Sequence, residues 1–162
     1  DALIVRKVGA PDRPELALGA MAEGLDEVVW SEAAGFVRPA APEVDAVIAR
    51  ERAELTRRSA EYRGGRPPPV VEDRDVIVVD DGLATGATAE AALRALRPRR
   101  PRRLVLAVPV GPPSTLDRLA TLADEVVCPL RRDDLTAVGA WYDDFRATPD
   151  SEVRYLLAAA QR

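Results

Sequence analysis

The most informative segment of the chain runs from Val76 to Thr88 and reads Val-Ile-Val-Val-Asp-Asp-Gly-Leu-Ala-Thr-Gly-Ala-Thr. Its four apolar residues are typical of a strand buried on both faces, two carboxylates end that strand, and small residues lead into a helix predicted from about Ala89 to Arg97. In an open α/β sheet, ligands bind in the crevice at the carboxyl ends of the strands. We therefore expect Asp80, Asp81 and the following turn to line a ligand site.

The turn has the composition of a phosphate-binding loop. Small residues let backbone N–H groups approach an anion closely; they are Gly82, Ala84, Gly86 and Ala87. Thr85 and Thr88 add hydroxyl donors, and the helix that follows presents the positive end of its dipole. Asp80 and Asp81 would repel a bare phosphate but accept hydrogen bonds from vicinal hydroxyls, so the pattern indicates a sugar phosphate with a free diol.

Other phosphate motifs fit less well. No Gly-Lys-Ser/Thr follows the turn, which excludes a Walker A loop, and the dinucleotide fingerprint G-x-G-x-x-G is absent. A receiver domain also begins from an acidic pair at a strand end, but that family needs a later lysine and none follows Lys7. The remaining alternative is that Asp80 and Asp81 only cap a helix.

Three further apolar runs complete the pattern of a layered α/β domain. They span Ala2 to Val8, Leu104 to Val110 and Glu125 to Leu130, and helical stretches separate the later ones. This alternation predicts a three-layer α/β fold, with a parallel central sheet flanked by helices. We expect residues 1–162 to form one domain.

A predicted long helix and an irregular segment lie between the run that begins at Ala2 and the run that begins at Val76. Apolar residues at helical spacing predict a helix from Glu43 to Tyr62, and the glycines and prolines of Arg63 to Pro69 make that stretch a connector. The segment Gly9 to Ala41 is the least regular, which is typical of a flexible, functional insertion. The regular structure predicted there is a short hairpin built on Glu27 to Trp30 and Gly35 to Arg38.

Composition restricts the chemistry. The 162 residues are 47% hydrophobic and 31% charged, with no histidine and one cysteine, so His-dependent catalytic systems, His/Cys zinc sites and disulfides are excluded by counting. A reduced, cytoplasmic setting is expected. A net charge of -4 does not suggest nucleic acid or an anionic membrane as partner, and no apolar run is long enough to span a membrane. We therefore expect small-molecule ligands.

The C-terminal part concentrates aromatic and acidic residues in Ala137 to Phe145. Trp141 and Tyr142 are candidates for stacking on a flat acceptor base, but they equally fit a role in anchoring the C-terminal segment to the core. A helix is predicted from Pro149, with Thr148 as its cap.

The segment Val76 to Thr88 resembles the phosphoribosyl pyrophosphate binding signature of type I phosphoribosyltransferases. The resemblance implies that Asp80 and Asp81 hold the ribose 2- and 3-hydroxyls, with Asp80 contacting Mg²⁺ through water. It also implies that Ala84, Thr85, Gly86, Ala87 and Thr88 wrap the 5-phosphate. An alanine at position 84 is similar to the adenine-type members and argues against a hypoxanthine or guanine enzyme.

A second resemblance lies at the start of the chain. The residues Leu-Ile-Val-Arg-Lys at 3–7 are similar to the strand and Arg-Lys pair that precede the flexible catalytic loop of adenine-type members. Arg6 and Lys7 would then face pyrophosphate, with Lys7 as a point contact and a candidate catalytic residue. Glu23, one residue out of register with a loop glutamate of some relatives, is the other catalytic candidate. The alternative for Arg6 and Lys7 is a pair of solvent-facing charges.

Segments along nearly the full chain resemble a group of bacterial phosphoribosyltransferase-like proteins. The family's first strand and pyrophosphate loop have no counterpart here. Either about 50 residues lie upstream of Asp1, as typical α/β units would require, or pyrophosphate binding is weakened.

The resemblance implies transfer of 5-phosphoribosyl from phosphoribosyl pyrophosphate to a nitrogenous acceptor, with Mg²⁺ as cofactor. Two alternatives stay open: a non-catalytic protein that binds phosphoribosyl pyrophosphate or a nucleotide and regulates a partner, and a hydrolase of phosphoribosyl compounds. A homodimer would fit the transferase and the regulatory protein.

Overall fold

A computed structural model describes residues 1–31, 35 and 41–160. Its strands are β1 (Val5–Ala10), β2 (Arg13–Ala22), β3 (Val29–Trp30), β4 (Asp75–Val79), β5 (Arg103–Ala107), β6 (Val110–Gly111), β7 (Glu125–Val127) and β8 (Leu130–Arg131). Its helices are α1 (Ala41–Arg63), α2 (Ala87–Leu96), α3 (Pro113–Leu119) and α4 (Asp150–Ala159), with 3-10 turns at Arg97–Arg99 and Val138–Trp141.

A parallel sheet of order β4-β5-β7 forms the centre of the fold. Val76 lies opposite Leu104 and Leu106 opposite Val126, and β6 and β8 form a second, short parallel pair. Leu104 and Leu106 share one face of β5 and are fully buried, whereas Val105 and Ala107 on the other face are half-buried. Ile77 and Val79 of β4 are exposed, so the predicted burial of that strand on both faces is wrong in the described chain. The predicted α/β class, with a parallel sheet flanked by helices, is confirmed.

The first apolar run does not join that parallel sheet, contrary to the prediction. β1 pairs with β2 and β2 with β3, all antiparallel, in a separate sheet. The predicted irregularity of Gly9 to Ala41 is likewise wrong over residues 13–22, which form the ten-residue strand β2. The reason is tertiary, because both faces of β2 are covered: Ala20 and Ala22 pack against α2, and Met21 packs against Val47 of α1.

Only part of the predicted hairpin lies within the described residues. Its first half contains β3, which pairs with Gly19 and Ala20 of β2. A Cβ atom at Gly19 would lie 2.5 Å from the carbonyl oxygen of Val29, so the close approach of these two strands requires glycine. Residues 36–38, the other half of the predicted hairpin, lie outside the described residues.

α2 lies between the two sheets and is the most enclosed helix of the described chain. Its face with Ala87, Ala91 and Ala95 packs on the antiparallel sheet. Its opposite face, which carries Ala89, Leu93 and Leu96, packs on the parallel sheet. Because alanine side chains are small, both sheets approach the helix closely, and the turn before α2 is held where the two layers meet.

The other two long helices, α1 and α4, lie where the sequence predicts them, but the N-cap residue of α4 differs from the prediction. α1 covers the predicted Glu43–Tyr62 and buries Val44 and Val47. α4 starts at Asp150, but Pro149 holds the N-cap position and no side chain caps the helix, so the predicted cap at Thr148 is wrong.

Polar contacts attach α4 to α1. The Tyr62 hydroxyl donates to Asp150 over 2.5 Å, and Arg154 pairs with Glu61. None of the helices in the described part of the chain is long and apolar enough to cross a membrane.

The enclosure of α2 gives a test of the packing. Replacing Ala91, which is fully buried against the antiparallel sheet, with leucine adds volume where neither sheet can move apart cheaply. We expect Ala91→Leu to lower the free energy of unfolding by about 1–3 kcal/mol, measured by urea denaturation. The control is Ala60→Leu on the exposed side of α1, which should change stability by less than about 0.5 kcal/mol. Equal effects of the two substitutions would contradict this packing.

Candidate functional site

The acidic pair lies at the carboxyl ends of the parallel strands, as the sequence predicts. β4 ends at Val79, and the loop of residues 80–86 carries the chain to α2. Backbone hydrogen bonds tie this loop to its neighbours: the Asp80 N–H donates to Ala107 O (3.4 Å) and the Leu83 N–H to Val110 O (2.9 Å). Leu83 is buried and anchors the middle of the loop in the core.

Gly86 is the residue on which the loop geometry depends most. It takes the N-cap position of α2 with φ 74° and ψ 6°, in the left-handed region. A Cβ atom there would also lie 2.6 Å from Thr115 Cγ2 on α3. Both the backbone conformation and the space available therefore require glycine.

A cavity of about 500 Å³ lies along the loop and is lined by residues that are far apart in the sequence. Residues 80–89 form one wall, and Lys7 of β1 with Leu16 and Ala17 of β2 form another. Val138 of the C-terminal 3-10 turn also contributes to the lining. All the predicted ribose- and phosphate-binding residues thus share one cavity with Lys7; they are Asp80, Asp81, Ala84, Thr85, Gly86, Ala87 and Thr88.

The two carboxylates are held without a cationic partner among the described residues. Burial, together with the charge of Asp81, raises the pKa of Asp80 above its ordinary value; the hydrogen bond from the Asp81 N–H (3.0 Å) opposes this only in part. Burial also raises the pKa of Asp81. A ligand that supplies hydroxyl donors or a cation would relieve the cost of holding both groups ionised.

Arg6 and Lys7, predicted to act together, face in opposite directions because successive side chains of a strand alternate. Lys7 is exposed and lines the cavity. Arg6 donates from Nε (2.9 Å) and Nη2 (2.6 Å) to Glu51 of α1. The structure therefore places Lys7 in the lining of the cavity that the acidic pair also lines, and it holds Arg6 in an ion pair away from that lining.

Glu23, the other catalytic candidate, lies just after β2 and outside the lining of this cavity. Its Oε1 accepts a hydrogen bond from Arg63, which is 4% exposed, and its Oε2 is buried without a partner in the described chain. Burial raises the pKa of Glu23, but hydrogen bonds with Arg63 and Ser59, together with the charges of Arg63 and Arg99, outweigh it, so the pKa is lowered overall. Sequence reasoning did not anticipate this buried pair.

The C-terminal aromatic residues approach the acidic pair from one side. The Tyr142 hydroxyl donates to the backbone carbonyl of Asp81 over 2.7 Å, and the rings of Tyr142 and Phe145 pack with centroids 5.1 Å apart. The Arg132 guanidinium covers the Trp141 ring at 5.2 Å from its centroid. The predicted stacking of an acceptor on Trp141 or Tyr142 stays a prediction, now with one face of Trp141 already occupied.

The carboxylate pair suits Mg²⁺ that is shared with a substrate. Within the described residues, no three acidic, histidine or cysteine side chains converge to hold a metal by themselves. Mg²⁺ usually keeps several waters and binds through one or two carboxylates plus substrate phosphates. Asp80 and Asp81, raised in pKa and lacking a cation, fit that use.

Sequence reasoning missed the residues that support the loop from behind. Thr115 Oγ1 of α3 donates to Ala84 O (3.3 Å), and Arg118 Nη2 donates to Thr85 O (2.6 Å). The i, i+3 spacing of these two residues places them on one face of a helix. Nothing local in the sequence links that face to the loop, which lies about 30 residues earlier, since the contact exists only after the sheet forms.

A parallel sheet flanked by helices, with an acidic strand end and a small-residue loop at its carboxyl edge, places the chain among the open α/β domains that have a crevice at that edge. Comparison with known proteins narrows this class. The phosphoribosyl transferase domain family matches residues 34–144, more than half of the chain. The chain belongs to the phosphoribosyl transferase family.

Individual relatives agree with this family. Two proteins from Mycobacterium tuberculosis strains, CDC 1551 and H37Rv, each named "Putative phosphoribosyl transferase", are 41% identical to this chain over all 162 residues. The chain spans 37% of the length of these relatives. The crystal structure of TT1426 from Thermus thermophilus is similar with a TM-score of 0.72 and 43% identity, over 98% of this chain and 75% of that one.

The position of Gly86 predicts a stability effect with an internal control. Gly65 also has a left-handed backbone (φ 81°), but nothing lies within 4 Å of a Cβ atom there. We expect Gly65→Ala to cost about 1–2 kcal/mol for the backbone conformation alone, and Gly86→Ala to cost about 2–5 kcal/mol because the clash with α3 is added. Thermal denaturation measures both. Equal losses would contradict the close contact between the loop and α3.

The raised pKa of Asp80 predicts a stability gain on neutralisation. Because the folded state favours the protonated form, stability increases as pH falls through the raised pKa, which lies above the ordinary 3.8. Asp80→Asn removes the buried charge and keeps an acceptor for the Asp81 N–H, so it should match or exceed the parent melting temperature at pH 7. The difference between the two proteins should shrink as pH is lowered. A variant less stable at pH 7 would argue against this electrostatic account.

Proposed function

We propose that this chain binds phosphoribosyl pyrophosphate and transfers its 5-phosphoribosyl group to a nitrogenous acceptor, releasing pyrophosphate. The observation that carries the proposal is that one cavity is lined by the acidic pair Asp80 and Asp81, by the rest of the loop of residues 80–86 (the phosphate-type loop) and by Lys7. A ligand with a diol, a terminal monophosphate and a second anionic group matches these three features. Family membership supports the reaction class, and the acceptor remains open within it.

Each part of the donor has a matching feature in the cavity. The ribose 2- and 3-hydroxyls would donate hydrogen bonds to Asp80 and Asp81. These hydrogen bonds would offset the free-energy cost of keeping the two buried carboxylates ionised, the cost that raises their pKa values. The 5-phosphate would accept hydrogen bonds from the backbone amides of residues 84–88 and from the hydroxyls of Thr85 and Thr88. Lys7, which lines the same cavity, would hold the anionic leaving group.

The reaction requires positioning and charge stabilisation more than proton transfer by the protein. The bond between C1 and the pyrophosphate oxygen breaks, and its electron pair leaves with pyrophosphate. Positive charge develops at C1 before the acceptor nitrogen forms the new bond and releases its proton to solvent. Asp80 and Asp81 orient the ribose, and Lys7 offsets charge on the departing group. A chain without histidine is suited to this chemistry.

Magnesium, when bound at the carboxylates and the pyrophosphate, would neutralise charge on the leaving group. The residues that would hold it are Asp80, through water, and Asp81. Both must be ionised for this, so donor affinity should weaken as pH falls toward their raised pKa values.

The second candidate function is a regulatory protein that binds the same ligand without transferring its phosphoribosyl group. Two positions favour it: Glu51 holds Arg6 and Arg63 holds Glu23, so neither side chain lines the cavity. Either function is compatible with a homodimer, and a cytoplasmic setting belongs to both proposals. Transfer to an acceptor, once one is found, distinguishes them.

Calorimetric titration tests the shared binding step. We expect magnesium-dependent binding of phosphoribosyl pyrophosphate, and weaker binding of ribose 5-phosphate because that ligand lacks the contact with Lys7. The double variant Asp80→Asn with Asp81→Asn should lower donor affinity at least about a hundredfold, since two hydrogen-bonded carboxylates are lost, while the protein stays folded.

The control for this experiment changes the same charge elsewhere. Asp133 and Asp134 are also adjacent and lie outside the cavity lining. Asp133→Asn with Asp134→Asn should leave donor affinity unchanged. An Asp80 and Asp81 double variant that binds as tightly as the parent would overturn the proposed function, and equal losses in both double variants would assign the effect to net charge.

A further inference from the structure

α3 lies against the side of the phosphate-type loop that faces away from the cavity. Ala84, Thr85 and Gly86 line the cavity, whereas the α3 residues that contact them, Thr115 and Arg118, do not. The contact is close, since a Cβ atom at Gly86 would lie 3.2 Å from Arg118 Nη2. α3 therefore backs the loop directly, with no layer between them.

Two consecutive peptide units of the loop are held by their carbonyl groups. Thr115 Oγ1 donates to Ala84 O (3.3 Å) and Arg118 Nη2 donates to Thr85 O (2.6 Å). Every peptide bond described here is trans, so the N–H of each unit points opposite to its carbonyl. Carbonyls directed at α3 therefore direct the Thr85 and Gly86 N–H groups away from it, toward the cavity side.

Those N–H groups are available for a ligand. In residues 1–31, 35 and 41–160, no acceptor contacts the amides of Thr85 and Gly86. The bond from a guanidinium to Thr85 O also polarises that peptide unit, which makes the Gly86 N–H a stronger donor. This matters beside Asp80 and Asp81, whose charges oppose the approach of a phosphate.

Arg118 is itself held in place by α2. It pairs with Glu90, whose other carboxylate oxygen accepts from Arg94 Nε over 3.0 Å. Glu90 therefore keeps a cationic partner, Arg94, when Arg118 is removed. The ion pair between Arg118 and Glu90 is by itself enough to link α3 to α2, so the additional contact of Arg118 with Thr85 O is not needed for that link. The fork of the guanidinium lets one residue bind Glu90 and the loop together.

We propose that Arg118 is a positioning residue for the phosphate of the substrate: it fixes the Thr85–Gly86 peptide with its N–H toward the cavity. The ligand class it serves is a sugar 5-phosphate, and in this respect the inference rests on the proposed function. Arg118 acts through the loop backbone and does not line the cavity. Its contribution is a preformed anion site that does not have to reorganise when the ligand arrives.

The binding experiment compares Arg118→Met, Arg118→Lys and Arg94→Met with the parent. We expect Arg118→Met to raise the Kd of ribose 5-phosphate about tenfold, because the loop loses the charge-assisted hydrogen bond from Arg118 to Thr85 O. Arg118→Lys should be intermediate, because a single ammonium keeps the charge but cannot fork. Arg94→Met removes the same charge from the same Glu90 and should bind like the parent. Equal losses in Arg118→Met and Arg94→Met would overturn the proposal.

A second measurement needs no ligand. The Gly86 amide resonance in a ¹H–¹⁵N spectrum of the free protein reports the state of the Thr85–Gly86 peptide. It should shift in Arg118→Met, move less in Arg118→Lys and stay in place in Arg94→Met. An unmoved Gly86 resonance in Arg118→Met would overturn the inference even where ribose 5-phosphate binds. If the parent protein binds neither ribose 5-phosphate nor phosphoribosyl pyrophosphate, the proposed function fails, and this resonance alone decides the role of Arg118.

Discussion

α2 is enclosed between two sheets, and the positions of the loop of residues 80–86 and of Lys7 depend on that enclosure. One alanine face packs on the antiparallel sheet, and the other face, with Leu93, packs on the parallel sheet. Small side chains allow both sheets to come close, and burial on both faces removes freedom of rotation and translation from the helix. Since the loop of residues 80–86 leads directly into α2, it inherits that rigidity. The same packing brings Lys7 on β1 to the cavity that Asp80 lines, although the two residues are far apart in the chain.

The distribution of charge distinguishes the cavity from the rest of the surface. Elsewhere in the described chain, many arginines pair with carboxylates, as in Arg6 with Glu51 and Arg63 with Glu23. Within the cavity, Asp80 and Asp81 carry raised pKa values and have no cation beside them in the described chain. Folding leaves these two carboxylates without an ion-pair partner in the described chain, at the place where the proposed ligand would supply hydrogen-bond donors. Perturbed carboxylates of this kind are typical of functional sites and cost stability in the free protein.

The loop is shaped from both sides. In front, the acidic pair and Lys7 line the cavity, and in the proposed function they select the parts of a ligand that donate hydrogen bonds or carry negative charge. Behind, Arg118 and Thr115 hold two carbonyls, so the N–H groups of the same peptide units point toward the cavity side. Gly86 makes this arrangement possible, because a side chain there would separate the loop from α3. The site thus depends on the packing of α3 as much as on the loop residues themselves.

Local sequence was enough to predict the elements around the site. The run from Val76 to Thr88 predicted strand, acidic end, phosphate-type loop and helix, because each of these is set by neighbouring residues. Tertiary packing was needed to produce β2, whose proline and glycine obscured a strand that is covered on both faces. It also separated Arg6 from Lys7 and placed Arg118 behind the loop. Such contacts join residues far apart in the chain, and their energy depends on sheet pairing and burial, which local propensity does not contain.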